Sequence, residues 1–178
     1  MKKTALISIA VVAFDQIIKK VITSKLVLGE SISIIKNILN ITYVTNTGAA
    51  FSILSSNTYF LIMISLIVLT VLVLYLIKVK IDNNEKIIYG FLIGGIIGNL
   101  IDRIFNQAVI DYIDVNIFGY PFPVFNFADM VIVISILLII IYKKDDKNEI
   151  QNWRRRHEAR QIPYKHIRRK PKSNIKND

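Results

Sequence analysis

The chain has 178 residues, 53% of them hydrophobic, and a formal net charge of +10 from 23 basic and 13 acidic side chains. Apolar and basic residues must therefore be segregated along it, which suits a small multi-span membrane protein of one domain better than a soluble domain. The lack of cysteine excludes a disulfide framework, a thiolate metal site and a cysteine nucleophile. Both histidines, His157 and His166, lie in a basic tail, so carboxylates are the chemistry left to the apolar part.

Met1-Lys2-Lys3 followed by Thr4 to Phe14 has the outline of a secretory signal peptide. No small-residue cleavage pattern follows, however, and Ile17-Ile18 carries the apolar character past Asp15-Gln16 to Ile22, which predicts a retained span. Further apolar segments run over about residues 58 to 77, 87 to 104 and 126 to 142, each near the ~20 residues needed to cross a bilayer. The reading is a mainly α membrane protein with four transmembrane helices. The second is the purest and is expected to face lipid most.

Eighteen of the 23 basic residues lie before the first span, between the second and third, or after the fourth, which places both termini in the cytoplasm. Asp15, Asn99, Asp102 and Asp129 then all fall at the outer leaflet. Intramembrane carboxylates at one depth point to a functional site.

Between the first two spans, Ser31-Ile32-Ser33-Ile34 and Ile41-Thr42-Tyr43-Val44 predict strands of a small sheet on the outer surface. The inner loop at Asp82-Asn83-Asn84 reads as a polar turn, and the outer connection 105 to 124, ending Tyr120-Pro121-Phe122-Pro123, as a stiff interfacial loop. Division into a four-span domain (1–144) and a basic cytoplasmic tail (145–178) follows from the change of composition after Tyr142. The tail's lysines and arginines suit anionic lipid, at roughly 1 kcal/mol per residue near the surface. An RNA contact, suggested by interleaved Trp and Tyr, is the weaker reading, and no nucleic-acid partner is expected.

Asp15 and Lys19, four apart, share a helix face and can pair, with Lys19 expected to snorkel to the surface and Asp15 to bond loop amides or a neighbouring span. Asn46-Thr47-Gly48-Ala49-Ala50 combines turn formers with small residues, as a cradle for substrate or lipid requires. Asn99, Asp102 and Arg103 share one face of a glycine-rich span, and Asn126 and Asp129 share another, with Asn126 a candidate helix cap. Two neighbouring carboxylates in a partly dry site share a proton, and such a pair activates water for peptide hydrolysis without metal or covalent intermediate. These arguments leave Asp102, Asp111 and Asp114 equally eligible beside Asp129.

Asp15-Gln16 with Lys19, Asn46-Thr47-Gly48-Ala49-Ala50-Phe51, Gly94-Gly95 through Asn99-Leu100-Ile101-Asp102-Arg103, Ile110-Asp111 and Phe125-Asn126-Phe127-Ala128-Asp129 stand in an order that strongly resembles the lipoprotein signal peptidases, the type II signal peptidases of bacteria, over about residues 5 to 142. The resemblance implies an aspartic endopeptidase of the bacterial cell (inner) membrane with an extracytoplasmic β-cradle. It would cleave prolipoproteins before a diacylglyceryl-modified cysteine and require no cofactor or metal. It also implies Asp111 and Asp129 as the catalytic pair. Asp15, Lys19, Asn46, Gly48, Ala50, Asn99, Asp102, Arg103, Asn126 and Ala128 would support the site or contact substrate.

Three rival readings make different demands. A proton-coupled transporter expects carboxylates at mid-depth and internal repeats, and the chain has neither. A membrane scaffold leaves Asp111, outside any span, without a role. A Ser-Lys peptidase, with Ser52 or Ser55 attacking and Lys19 as base, needs that lysine buried and neutral.

Overall fold

The computed structural model of the chain describes residues 1–48 and 57–161, with 144–150 and 152–161 in backbone only. Four helices and four strands follow in the order α1 (Lys2–Lys25), β1 (Ser31–Ile35), β2 (Leu39–Asn46), α2 (Thr58–Lys78), α3 (Asn83–Asn106), β3 (Val109–Ile117), β4 (Tyr120–Pro121) and α4 (Phe127–Gln161). Two compact units divide the chain, Met1–Ile139 and Ile140–Asp178; the second contains the C-terminal part of α4. Ala50, Ser52 and Ser55 lie outside the described residues, as do the side chains of most of the tail.

Glycines at four-residue spacing decide how α3 meets α1. An ideal Cβ at Gly90 would sit 2.8 Å from Ile7 Cβ, at Gly94 2.6 Å from Val11 Cβ and at Gly98 2.6 Å from Asp15 Oδ2. Backbones that approach this closely also exchange polar contacts, and Ser8 Oγ lies 3.0 Å from both Thr4 O and Gly90 O. Gly95, one residue round the helix, gives the same close approach to Ala128 and Val131 of α4. The third helix is thereby central.

α2 is peripheral. It packs on α3 through Leu76, Tyr89, Leu92 and Ile93, with the Tyr75 and Tyr89 rings 5.8 Å apart. Among the described residues α2 and α3 are the two helices long and apolar enough to cross a membrane; 11% of the apolar stretch of α2 is buried, against 61% for α3. Leu6, Ile9 and Ile17 of α1, Val71 and Leu74 of α2, and Val133 and Leu137 of α4 are all exposed. An apolar surface of this extent is suited to lipid rather than water.

The sheet is antiparallel, in the order β1-β2-β3-β4. β1 and β2 lie where β-branched alternation places them. β3 is a difference from expectation: Val109–Ile117 is a strand rather than part of a loop, because it pairs with β2 from Leu39↔Val115 to Asn46↔Val109 and draws its hydrogen bonds from a partner some 70 residues away in sequence. Phe118 and Gly119, both with positive φ, turn it tightly into β4. Asp82-Asn83-Asn84 is likewise more than a turn. Asp82 accepts from the amides of Asn84 and Glu85 while Glu85 returns a bond to the Asp82 amide, a capping box that starts α3.

Candidate active site

Polar side chains of α1, α3, β3 and α4 meet in one place. Asp15, Lys19, Asn99, Asp102, Asp111 and Asn126 are all buried. The Lys19 ammonium is 2.8 Å from Asp15 Oδ2 and 2.7 Å from Asp102 Oδ2, and it donates to Asn99 Oδ1 at 3.0 Å. Lys19 therefore does not snorkel as its sequence position suggests. With 1% of its surface exposed it turns inward, because two carboxylates and an amide oxygen on α1 and α3 offset its desolvation. A lysine so paired is also not the neutral base that a Ser-Lys mechanism requires.

Asp102 pairs with Lys19 rather than with the adjacent Arg103. Its remaining capacity accepts Gln16 Nε2 at 3.0 Å and the Ile110 amide at 3.2 Å, which anchors the start of β3 beside α3. Arg103 donates from Nη2 to Gly48 O at 3.1 Å, so it ties α3 to the turn after β2 instead of gluing two spans together. That turn is pinned from within, as the Gly48 amide donates to Asn46 Oδ1 at 2.9 Å.

The N-terminus of α4 is fully engaged. Its first amide, at Phe127, donates to Tyr112 Oη (3.2 Å); the second, at Ala128, to Asp15 Oδ1 (3.1 Å); the third, at Asp129, to Asn126 Oδ1 (2.9 Å). Asn126 is thus the expected cap, and Asp129 Oδ2 accepts from the Asn126 amide at 3.3 Å to close the reciprocal bond.

Asp111 and Asp129 flank Asn126. Asp111 Oδ1 accepts from Asn126 Nδ2 at 2.6 Å and Asp111 Oδ2 from Asn46 Nδ2 at 3.1 Å, while Asp129 Oδ1 accepts from Asn99 Nδ2 at 2.7 Å. Asp111 is 2% exposed and Asp129 is half-buried, so both members of the pair are largely withdrawn from solvent. Burial, reinforced by the negative charge of Asp129, raises the Asp111 carboxyl to about 6 against the pull of Asn46, Asn126 and Lys19. Burial also pushes the Tyr112 phenol up to about 12, which keeps it neutral where it accepts the Phe127 amide.

Geometry separates the three aspartates that the sequence left equivalent. Asp102 is committed to Lys19, Gln16 and Ile110, and Asp114 accepts from Thr42 Oγ1 (2.8 Å) and Asn40 Nδ2 (3.2 Å) on the sheet, apart from the cluster. Gln16 was not foreseen as a site residue. Its amide spans Asp15, Gly98 O and Asp102, and the signal was its place one residue after Asp15, on a helix that buries Asp15 and half-buries Gln16. Tyr112 was also missed, since its role depends on the first amide of α4, whereas Gly98 is one of the glycines whose spacing announced close helix packing.

A sequence profile described as Signal peptidase (SPase) II matches residues 7–143. A lipoprotein signal peptidase of Staphylococcus haemolyticus (strain JCSC1435) is 42% identical over 144 residues, covering 80% of this chain and 91% of the relative. One from Staphylococcus aureus (strain JH9) is 42% identical over 146 residues, covering 81% and 90%. Among solved structures, a bacterial membrane enzyme determined by the in meso method at 2.3 Å resolution superposes with a TM-score of 0.78 at 39% identity, covering 84% of this chain and 92% of that one. A second, determined by the same method at 1.9 Å, gives 0.72 at 41% identity, covering 80% and 92%.

Proposed function

This chain belongs to the signal peptidase II family, and from that premise we propose that it is a membrane aspartic endopeptidase which removes signal peptides from prolipoproteins, cutting before the diacylglyceryl-modified cysteine. The observation that carries the reading is the Asn126 bridge between Asp111 and Asp129, two carboxylates that each accept hydrogen bonds on both oxygens. A carboxyl raised to about 6 beside a second carboxylate suits a pair that holds one proton between them up to about pH 6.

On this mechanism the ionised member takes a proton from water as the water oxygen attacks the scissile carbonyl carbon, and the protonated member hydrogen-bonds the carbonyl oxygen. The tetrahedral intermediate collapses as the C–N bond breaks, and a carboxyl proton passes to the leaving amine, which leaves the pair with one shared proton. Asn46, Gly48, Asn99, Arg103, Asn126 and Ala128 hold the pair and the substrate strand in place, and Asp15, Lys19 and Asp102 brace α1 and α3 behind them. Ala50, in the same motif, belongs to the substrate cradle on this reading.

The four helices span the bacterial cell membrane with both termini in the cytoplasm, the sheet on the outer surface and the carboxylate pair near the outer leaflet. Exposed apolar faces on α1, α2 and α4 support this arrangement. Residues 1–144 form the peptidase and 145–178 a basic tail on anionic lipid. Cleavage of a diacylglyceryl-modified prolipoprotein by the purified protein in lipid, with Asp111→Asn and Asp129→Asn alongside, tests the proposal. Wild type should cleave, and both folded variants should lose nearly all activity. A wild type that never cleaves the lipidated substrate refutes it.

A further inference from the structure

Asn99 is a side chain that could act either way round, since an amide presents a donor on one side and an acceptor on the other. Two of its neighbours settle the matter. Lys19 Nζ, 3.0 Å away, can only donate, and Asn126 Nδ2 also donates to the same atom at 3.1 Å. That atom is therefore Oδ1, and Nδ2 faces Asp129 Oδ1 at 2.7 Å. Turned over, Asn99 would bring its NH2 against an ammonium and a second NH2 while its oxygen opposed a carboxylate. Asn126 is held consistently: its Oδ1 receives the Asp129 amide, so its Nδ2 is free to serve both Asn99 and Asp111.

We propose that Lys19 is a positioning residue whose ammonium, donating to Asn99 Oδ1 beside Asn126 Nδ2, locks the direction of a hydrogen-bond chain that delivers one side-chain N–H to each carboxylate of the Asp111–Asp129 pair. The inference rests on the aspartic peptidase reading and adds to it a reason for burying a lysine behind the pair. Asp15 and Asp102 are the counter-charges that hold the ammonium at its post. Without Lys19 the Asn99 oxygen keeps only the Asn126 Nδ2 donor, so the sense of its amide is held less firmly and the side-chain N–H to Asp129 Oδ1 is weakened.

The groups around the pair are Asp15 and Lys19 from α1, Asp102 and Arg103 from α3, Asp111 and Tyr112 from β3, and Asp129 from α4. Removing Lys19 alone would leave Asp15 and Asp102 facing each other, so the variant to make is Lys19→Met with Asp102→Asn, which deletes one charge of each sign. Cleavage of a diacylglyceryl-modified prolipoprotein is followed as kcat and KM against pH, with thermal unfolding as the check on fold.

The double variant is expected to lose about 10- to 100-fold in kcat, the range for a hydrogen bond to a charged group, with KM changed by less than about threefold. The alkaline limb of its kcat profile, set by the carboxyl that keeps the shared proton, should move to higher pH, because the nearby cation that lowers Asp111 is gone. Lys19→Arg, also a pure donor and a cation, should retain most of kcat and carries the test if the double variant does not fold; Lys19→Gln made together with Asp102→Asn, which can accept as well as donate and leaves no pair of facing carboxylates, should fall about tenfold below it. A folded Lys19→Met with Asp102→Asn at wild-type kcat and pH profile, a loss confined to KM, equal kcat for Lys19→Gln with Asp102→Asn and for Lys19→Arg, or a folded Lys19→Arg that loses about 10- to 100-fold in kcat overturns the inference while leaving the peptidase reading intact. A wild type without cleavage overturns both.

Discussion

Replacing Asp111 by asparagine should change stability in a way that only a buried carboxyl can. The folded protein raises this group from its ordinary 3.8 to about 6, chiefly through burial. A folded value above the unfolded one means that the stability contributed by the protonated group is complete below about 3.8 and is lost as pH rises through about 6. The shift corresponds to ~3 kcal/mol, so wild type is destabilised by about that amount at pH 7 relative to pH 3 through this group.

Asparagine carries no charge to desolvate, and its oxygen can keep the 2.6 Å bond from Asn126, but its NH2 meets Asn46 Nδ2, a mismatch worth about 1–3 kcal/mol at every pH. Asn46 cannot turn over freely, because its oxygen already receives the Gly48 amide. The Asp111→Asn variant should therefore be less stable than wild type near pH 4, and the difference should close or reverse by pH 7. For a chain of this size ~3 kcal/mol amounts to roughly 6–12 °C in Tm. Thermal unfolding in detergent at half-unit pH steps measures it. A Tm difference that stays flat from pH 4 to 7, or widens against the variant, refutes the buried-charge reasoning.

Three other outcomes follow from the same geometry. Gly98→Ala places a methyl 2.6 Å from Asp15 Oδ2, so α1 and α3 must part or Asp15 must release the Ala128 amide; a loss of about 1–3 kcal/mol by denaturant or thermal unfolding is expected, with activity falling alongside. Among the described residues Asp114→Asn alters the row formed with Thr42 and Asn40, and cleavage should stay within about threefold of wild type, whereas a loss like that of Asp129→Asn would place Asp114 in the chemistry. Treatment with a strong chelator should leave the rate unchanged, since the carboxylates of the cluster are already taken up by amides and an ammonium; restoration of a lost rate by added metal would contradict the proposed mechanism.

What could be read from the sequence was local. Asp15 with Lys19, and Asn99 with Asp102, lie a turn apart on their own helices, so helical spacing alone put each pair on one face. The β-branched runs of β1 and β2 announced themselves in the same way. Lys19 was misjudged because its second counter-charge, Asp102, is 83 positions away, and nothing local distinguishes a lysine that reaches a bilayer surface from one that reaches another helix. β3 was hidden for a similar reason: its partner is β2, and Asp111 and Asp114 interrupt the apolar pattern that marks a strand. The start of α3 was legible in principle, since Asp82 and Glu85 have capping-box spacing, yet their polarity read as a loop.

The i, i+4 pairing of Asp15 with Lys19 bears on how such a chain is made. In the order of synthesis α1 precedes α3 by some 60 residues, so for a time its buried charges have no Asp102 to meet. In the four-span arrangement proposed above, a helix carrying either residue alone would present an uncompensated ion to the bilayer; with both at 2.8 Å the two buried charges cancel. α3 arrives with Asp102, and only then does the ammonium acquire a second anion and an orientation. On the four-span reading, the pair that braces the finished site also spares its helix a lone buried charge until α3 is made.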